Sequence, residues 1–117
     1  MKFLTKFRFA FEGLFYLIKK DKNFQIHLLL FLVLLSFGFC LALSQNEWIT
    51  ILICSTLVLS LEAINSALEK LCDLVHAEKH PEIKKIKDIS AGAVLIAAIF
   101  SCVVAGIIFI PKILDLF

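Results

Sequence analysis

Four polar residues, Glu62, Asn65, Glu69 and Asp73, recur at three- and four-residue spacing within and just beyond an apolar stretch. In a helix, at about 100° per residue, their side chains fall within roughly 80° around the axis and extend over about 16 Å. A charged side chain within a bilayer costs on the order of 2.5–3.5 kcal/mol on insertion scales, so several acids on one helix face indicate a functional site. In the alternative interpretation only Glu62 lies in the membrane, and Glu69 and Asp73 belong to a solvated extension.

Other residues that could act with this polar stripe are carboxylates, histidines and lysines elsewhere in the chain. They are Asp21, His76, Glu78, Lys79, His80, Lys87 and Asp88. Carboxylate oxygens are the hard ligands that Mg²⁺ prefers, and nearby lysines can neutralise a polyphosphate. The sequence has neither GxxxxGKS/T nor GxGxxG, so a phosphate-binding loop of backbone amides is absent. The residue types are therefore compatible with phosphoryl transfer at a membrane surface, with side chains holding the metal and the phosphates.

The histidines allow two further interpretations. His76 and His80 are four residues apart with Glu78 between them, a spacing that could begin a zinc site. The segment lacks a third strong ligand at helical spacing, and Pro81 interrupts it, so zinc is the weaker metal prediction. His27, at the start of the first apolar stretch, is interpreted as an interface residue or a partner of a neighbouring helix rather than as a catalyst.

The composition is that of a small integral membrane protein. The 117 residues are 61% hydrophobic and 19% charged, with a mean hydropathy of +0.96. Three apolar stretches, at about 26–44, 48–68 and 91–110, are long enough to cross a bilayer, which takes about 20 helical residues. We predict an all-α fold with three membrane spans in a single membrane-embedded domain, 1–117. Pro111 follows the third stretch and is predicted to end its helix.

The basic residues predict how the chain is oriented. Most lysines and arginines precede the first stretch or lie between the second and third, which places the N-terminus and the second loop in the cytoplasm and the C-terminus outside. Residues 2–20 alternate apolar and basic side chains at three- and four-residue spacing, which predicts an amphipathic helix on the cytoplasmic membrane surface. The alternative is a basic leader that only sets the orientation. The net charge of +2 implies no nucleic-acid partner.

A longer pattern connects these residues to a known family. The run 62–69 (EAINSALE), Asp73, and Lys87-Asp88 with the small residues up to Val94 resemble the signature of the prokaryotic diacylglycerol kinase family, small trimeric membrane lipid kinases. The pattern E-x-x-N-S/T-A-I/L-E-x-x-x-D with K-D-x-x-A-x-A-V downstream is long and specific. Similarities at 23–27, 80–81 and 108–112 extend it over nearly the whole chain and favour the undecaprenol kinase branch. The resemblance implies an ATP-dependent lipid kinase of a bacterial cytoplasmic membrane.

The resemblance also implies roles for individual residues. Glu62 would be the general base that takes the proton from the primary hydroxyl of the lipid, and Asn65 would orient Glu62 or that hydroxyl. Glu69 would be a magnesium ligand. Asp21 matches a second magnesium ligand that is a glutamate in the family, so its side chain is one methylene shorter. The residues on the nucleotide side would be Asp73, Glu78, Lys79, His80, Lys87 and Asp88.

Assembly and substrate complete these expectations. The resemblance implies a homotrimer with active sites between protomers, magnesium, ATP as co-substrate, and undecaprenol as the acceptor, with diacylglycerol as the alternative. A non-enzymatic channel or scaffold is the alternative from another class. A pore would need polarity across the whole span, but the outer half of the second stretch has only hydroxyl side chains: Thr50, Ser55, Thr56 and Ser60.

Overall fold

The computed structural model describes residues 2–117 as four α-helices joined by short connections. They are α1 Lys2–Lys20, α2 Lys22–Cys40, α3 Gln45–Val75 and α4 Pro81–Leu114. All regular secondary structure in this described part is helical, which confirms the all-α prediction. By length and composition, α2, α3 and α4 could each cross a membrane, in agreement with the three predicted spans.

A single residue, Asp21, separates α1 from α2. Its backbone is extended, its N–H donates to the Leu17 carbonyl (3.0 Å), and its carboxylate Oδ1 accepts the N–H of Phe24 (2.9 Å). Asp21 therefore ends one helix and caps the next. Gln25 Nε2 also donates to the carbonyl of Ile18 (2.8 Å), across this junction. These bonds fix how α1 leaves α2.

The connection between α2 and α3 is a tight turn at residues 41–44. The α2 helix ends at Cys40, four residues before the end of the predicted apolar stretch 26–44. The apolar composition continues through this turn, but Ala42 takes a left-handed conformation (φ 52°) and Ser44 caps α3. The Ser44 hydroxyl accepts the N–H of Glu47 (3.2 Å), and the Glu47 carboxylate accepts the N–H of Ser44 (2.9 Å). This capping box starts the new helix.

The helices α3 and α4 are longer than their apolar stretches. The α3 helix continues to Val75, seven residues beyond the predicted end at 68, or about 10 Å. Pro111 was predicted to end the third helix, and this prediction is wrong, because α4 continues to Leu114. A proline this close to the end removes one hydrogen bond from the last turns, which the helix tolerates.

The most extensive helix–helix contact joins α3 and α4, and α2 packs against α3. The best-buried apolar cluster, Leu43, Ile51 and Phe109, lies next to the 41–44 turn. Most other large apolar side chains are exposed, and α2 buries only Phe24 and Gly38. Such exposure suits a protein whose outer surface meets hydrocarbon rather than water.

Candidate active site

The polar stripe of α3 starts inside the helix bundle and ends in solvent. Glu62 and Asn65 are each 3% exposed, Glu69 is half-buried, and Asp73 is exposed. Because Asp21, which starts α2, contacts α3 at Ser66, the last turns of α3 extend beyond α2. The structure therefore places Glu62 and Asn65 in the interior of the bundle. Asp73 lies in the solvated extension of α3.

Two acceptor atoms in the buried part of the stripe are unsatisfied. Among residues 2–117, Glu62 Oε1 and Asn65 Oδ1 have no hydrogen-bond partner. Asn65 Nδ2 donates to Glu69 Oε1 at 3.3 Å, so the amide links the buried and half-buried acids. Unpaired acceptors in a protein interior cost about 1–3 kcal/mol each and are rare in folded proteins. These two acceptors are therefore available to a bound group or to another protomer.

The α1–α2 junction contributes another acid to this region. Asp21 Oδ2 accepts a hydrogen bond from the hydroxyl of Ser66, one turn of α3 beyond Glu62 and three residues before Glu69. The structure therefore brings Asp21 to the stripe although the two are more than forty residues apart in sequence. Nothing in the spacing along the chain selects Ser66 as this partner.

The donors near Glu69 fit a magnesium ion. The described residues hold no group of three histidines, cysteines or acids close enough to bind a metal by themselves. Mg²⁺ normally keeps several waters and uses one or two carboxylates together with substrate phosphates, so it does not need such a group. The carboxylates of Asp21 and Glu69 and the unpaired amide oxygen of Asn65 are all hard oxygen donors.

A polar cavity of about 650 Å³ lies where α3 ends and α4 begins. It collects five of the six residues predicted on the nucleotide side: Asp73, Glu78, Lys79, His80 and Lys87. The sixth, Asp88, does not line it, and its carboxylate accepts a hydrogen bond from Lys84 at 2.7 Å. The volume is within the range of small-molecule sites.

Lys87 is held at this cavity by an acid of α3. Its Nζ lies 2.5 Å from Asp73 Oδ1. Lys87 precedes the apolar residues 91–110, and the hydrogen bond to Asp73 raises the pKa of its ammonium group. The lysine therefore carries its charge at neutral pH, as a phosphate contact requires.

His80 has a structural task in addition to any ligand contact. It caps α4, where its Nδ1 accepts the N–H of Glu82 (3.1 Å) and Pro81 is the first helical residue. The rings of His76 and His80 meet edge to face at 5.1 Å, and His76 Nδ1 lies 2.8 Å from the Glu78 carbonyl. These bonds use one ring nitrogen of each histidine and shape the loop.

Two contacts at the site were not predicted from the sequence, and a third bears on the two interpretations of His27. Lys70 Nζ donates to Tyr16 Oη at 2.5 Å and lies 4.6 Å from the centre of the same ring, which joins α1 to α3 beside Glu69. The second contact is the Ser66–Asp21 bond. The third is His27, whose Nε2 lies 4.0 Å from Glu62 Oε2. His27 thus partners a neighbouring helix, one of the two interpretations of this residue.

An apolar groove of about 460 Å³ leads away from His27 between α2, α3 and α4. Its lining includes Leu34 of α2, Val58 of α3, and Ala98 and Phe109 of α4. The groove therefore runs from His27 towards the opposite end of the bundle, and it contacts α3 at residues before Glu62, whereas the polar cavity contacts α3 at Asp73, beyond Glu62. The arrangement suits a reaction between an apolar and a phosphorylated reactant.

Comparison with known proteins agrees with a site for one apolar and one phosphorylated reactant. Residues 8–109 match the model of the prokaryotic diacylglycerol kinase family. The chain belongs to this family. It is 36% identical to the undecaprenol kinase of Bacillus subtilis over 111 residues, which covers 95% of this chain and 90% of the relative. It is also 36% identical to a diacylglycerol kinase of Synechocystis over 114 residues, with 97% and 65% covered. A Pseudomonas aeruginosa diacylglycerol kinase is 33% identical over 94 residues, with 80% and 71% covered.

Membership of the family assigns the class of reaction. The chain is a lipid kinase, and ATP is the co-substrate that such a kinase uses. The alternative of a non-enzymatic channel or scaffold is set aside by this finding. Both undecaprenol and diacylglycerol kinases are among the relatives, so family membership leaves the acceptor as a choice between two lipid alcohols.

Proposed function

We propose that this lipid kinase transfers the γ-phosphoryl group of Mg-ATP to the primary hydroxyl of undecaprenol and forms undecaprenyl phosphate. The observation that carries the proposal is the buried Glu62 carboxylate, with an unpaired oxygen, between an apolar groove and a polar cavity. The undecaprenol kinase combines 36% identity with coverage of 90% of its length, whereas the diacylglycerol kinase of the same identity is covered over 65% of its length and one covered over 87% is 30% identical. This supports undecaprenol, with diacylglycerol as the alternative.

Glu62 acts as the general base in this proposal. The hydroxyl proton passes to its carboxylate while the hydroxyl oxygen forms a bond to the γ-phosphorus and the bond to the ADP leaving group breaks. Asn65 orients the site through Glu69, to which its amide donates. Burial keeps water, a competing acceptor, away from Glu62.

Asp21 and Glu69 are the proposed magnesium ligands. Both carboxylates lie along the same side of α3, and the bond from Ser66 holds Asp21 there despite its shorter side chain. When bound, the ion neutralises charge on the β- and γ-phosphates. The contact between Asn65 and Glu69 fixes the second ligand before the nucleotide arrives.

The nucleotide is proposed to occupy the polar cavity. Lys87, held by Asp73, would contact phosphate oxygens. Asp88 lies outside the cavity lining and would exchange its bond with Lys84 for hydrogen bonds from the nucleotide. Glu78, Lys79 and His80 form the loop that closes the cavity at the start of α4. Phosphate charge here comes close to lysine ammonium groups, as phosphoryl transfer requires.

The membrane arrangement is part of the same proposal. The N-terminus and the 76–80 loop face the cytoplasm, the C-terminus lies outside, and the whole chain is one domain. The helix α1 lies on the cytoplasmic surface of the bacterial membrane, where Phe3, Leu4 and Phe15, which are exposed, can enter the lipid. A homotrimer would cover further apolar surface and enclose the sites.

The test is phosphate transfer from labelled ATP by the purified protein with magnesium, using undecaprenol and diacylglycerol in the same mixed micelles. We expect a higher kcat/KM for undecaprenol. A preference for diacylglycerol would move the protein to the alternative acceptor. Transfer to neither would reject both.

A further inference from the structure

We propose that His27 is a second acceptor-binding residue, which holds the lipid hydroxyl together with Glu62. This inference rests on the proposed function, in which Glu62 takes the hydroxyl proton. It adds a residue from within α2 to a site that is otherwise built on α3, α4 and the α1–α2 junction.

The spacing between the two side chains is the first argument. His27 Nε2 and Glu62 Oε2 are 4.0 Å apart, which is longer than the 2.7–3.2 Å of a direct N–H···O hydrogen bond. An oxygen atom about 2.8 Å from each of them fits between, with an angle of about 90° at that oxygen. The gap therefore has the size for one bridging hydroxyl.

The chemistry of the three groups is complementary. The lipid hydroxyl donates its hydrogen to Glu62 Oε2 and accepts a hydrogen bond from the Nε2–H of His27. One lone pair of the hydroxyl oxygen remains for the γ-phosphorus. As the oxygen–phosphorus bond forms and the bond to ADP breaks, the proton moves to Glu62, and His27 keeps its own proton. His27 therefore aligns the nucleophile without exchanging a proton.

The groove gives the hydroxyl a direction. Among residues 2–117, His27 is the one charged or imidazole residue that lines the groove, and the other lining side chains are apolar, small or hydroxyl-bearing. Along α4 the lining extends from Ala98 to Ile113, which corresponds to about 22 Å of helix. A lipid alcohol with its hydroxyl at His27 can therefore lay its hydrocarbon chain along the groove, parallel to the helices and within the membrane. The other end of the hydroxyl site opens towards Glu62.

The burial of Glu62 makes this contact consequential. Its side chain is 4% exposed, whereas that of His27 is 22% exposed, so His27 borders the open groove and Glu62 lies behind it. A hydroxyl arriving from the groove meets His27 before it reaches the carboxylate. Loss of the imidazole should therefore affect the acceptor and leave ATP binding unchanged.

The test compares His27→Leu, which removes the donor at similar volume, with His27→Gln, which places an amide N–H near the position of Nε2. We expect His27→Leu to lower kcat/KM for the lipid alcohol about 10- to 100-fold and to leave KM for ATP within about twofold. His27→Gln should keep most of the kcat/KM that His27→Leu loses. Ser36→Ala is the control on the same helix, because the Ser36 hydroxyl donates to the Leu32 carbonyl of its own helix and Ser36 is not among the described residues that line the groove. It should leave both constants unchanged.

The outcomes separate this inference from the proposed function. If the wild type phosphorylates lipid alcohol and Glu62→Gln is inactive, but His27→Leu has wild-type acceptor kinetics, the role of His27 is rejected and the proposed function stands. If the wild type phosphorylates neither alcohol, both fail. Equal losses for the lipid and for ATP in His27→Leu would indicate a packing role and also reject the inference.

A second pair of variants covers a failure of His27→Leu to fold. Asn at position 27 carries its amide nitrogen nearer the backbone, as Nδ1 does, whereas Gln reaches further, as Nε2 does. The bridging arrangement requires His27→Gln to be clearly more active than His27→Asn towards the lipid. Equal activity of the two would overturn it.

Discussion

The two ends of the helix bundle treat their polar groups in opposite ways. At the 41–44 turn, Ser44 and Glu47 satisfy each other's backbone and side-chain groups, and Lys112 reaches Glu47 at 3.1 Å. At the other end, Glu62 and Asn65 are buried with acceptor atoms that nothing within the described chain satisfies. The first end is satisfied within this chain, whereas the second leaves acceptor atoms that a ligand or another protomer can satisfy.

Packing differs between the two ends in the same sense. Next to the turn, Gly38 lies against the indole of Trp48, and Leu43, Ile51 and Phe109 form the best-buried apolar cluster. At the active-site end the helices border the polar cavity and the His27 end of the apolar groove, which runs from there towards the turn and reaches Phe109. Stability is therefore concentrated at the turn, while the site retains unpaired groups at some cost in stability.

Glu62→Gln should give the largest effect on activity and should sharpen this contrast. Removing the general base is expected to lower kcat by about 100- to 10,000-fold. The unfolding temperature in detergent should stay the same or rise, because a buried carboxylate is replaced by a neutral amide. Kinetics and thermal unfolding measured on the same preparation check this. A variant that unfolds earlier yet retains turnover would mean that Glu62 is structural.

Glu69→Ala tests the proposed metal ligand next to it. We expect the magnesium concentration for half-maximal activity to rise about 10-fold or more, with a much smaller change in KM for the lipid. Asp21→Asn should act in the same direction. A magnesium titration at fixed ATP and lipid measures both. Equal losses of magnesium and lipid affinity would argue against the ligand role.

Gly38→Ala should break the opposite end of the bundle. A β-carbon at position 38 would lie 2.6 Å from Cη2 of Trp48, so the indole must move. We expect a loss of about 1–3 kcal/mol of stability, with kcat unchanged below the unfolding transition. Gly92→Ala is the matched control, because a β-carbon there meets nothing within 4 Å. If Gly38→Ala instead lowered kcat at full stability, the two ends would not be separable in function.

The spans of the fold could be predicted because length and hydropathy determine which helices can cross a bilayer. The helix ends could not be predicted in this way. The α3 helix extends seven residues past its apolar stretch because polar residues such as Glu69 and Asp73 continue the helix into solvent. The α2 helix ends while the sequence is still apolar, because Ser44 caps the following helix. Hydropathy describes the environment of a segment and contains no information on caps.

The site, like the fold, could be predicted from the sequence only in part. Helical periodicity predicts that Glu62, Asn65 and Glu69 share a face, because spacing along one helix is fixed. Contacts between helices depend on their relative register. Counted from the turn, His27 is thirteen residues before Cys40, and Glu62 is seventeen after Gln45, a difference of about 6 Å along the helices. Pairing residues that lie equally many positions from the turn would therefore place His27 about one helical turn away from Glu62.

For Asp21, counting residues from the turn predicts the level of its partner on α3 more closely. It lies nineteen residues before Cys40, and Ser66 lies twenty-one after Gln45, so equal counting brings them within about 3 Å of the same level. The remaining offset, and which faces of the helices meet, depend on packing at Gly38 and Trp48, which sequence periodicity does not determine.

Lys112→Met should give the smallest effect and sets the lower bound of the comparison. It removes the ion pair to Glu47, which joins the start of α3 to the end of α4, but both side chains are partly exposed, at 27% and 28%. We expect the unfolding temperature to fall by about 5 °C or less and kcat to stay unchanged. Arg8→Met is the control, since Arg8 pairs with Glu12 on its own helix. Because salt screens the pair, the difference between Lys112→Met and the wild type should shrink at high ionic strength. A change in kcat would show that the turn end is coupled to Glu62, which lies about 22 Å away along α3.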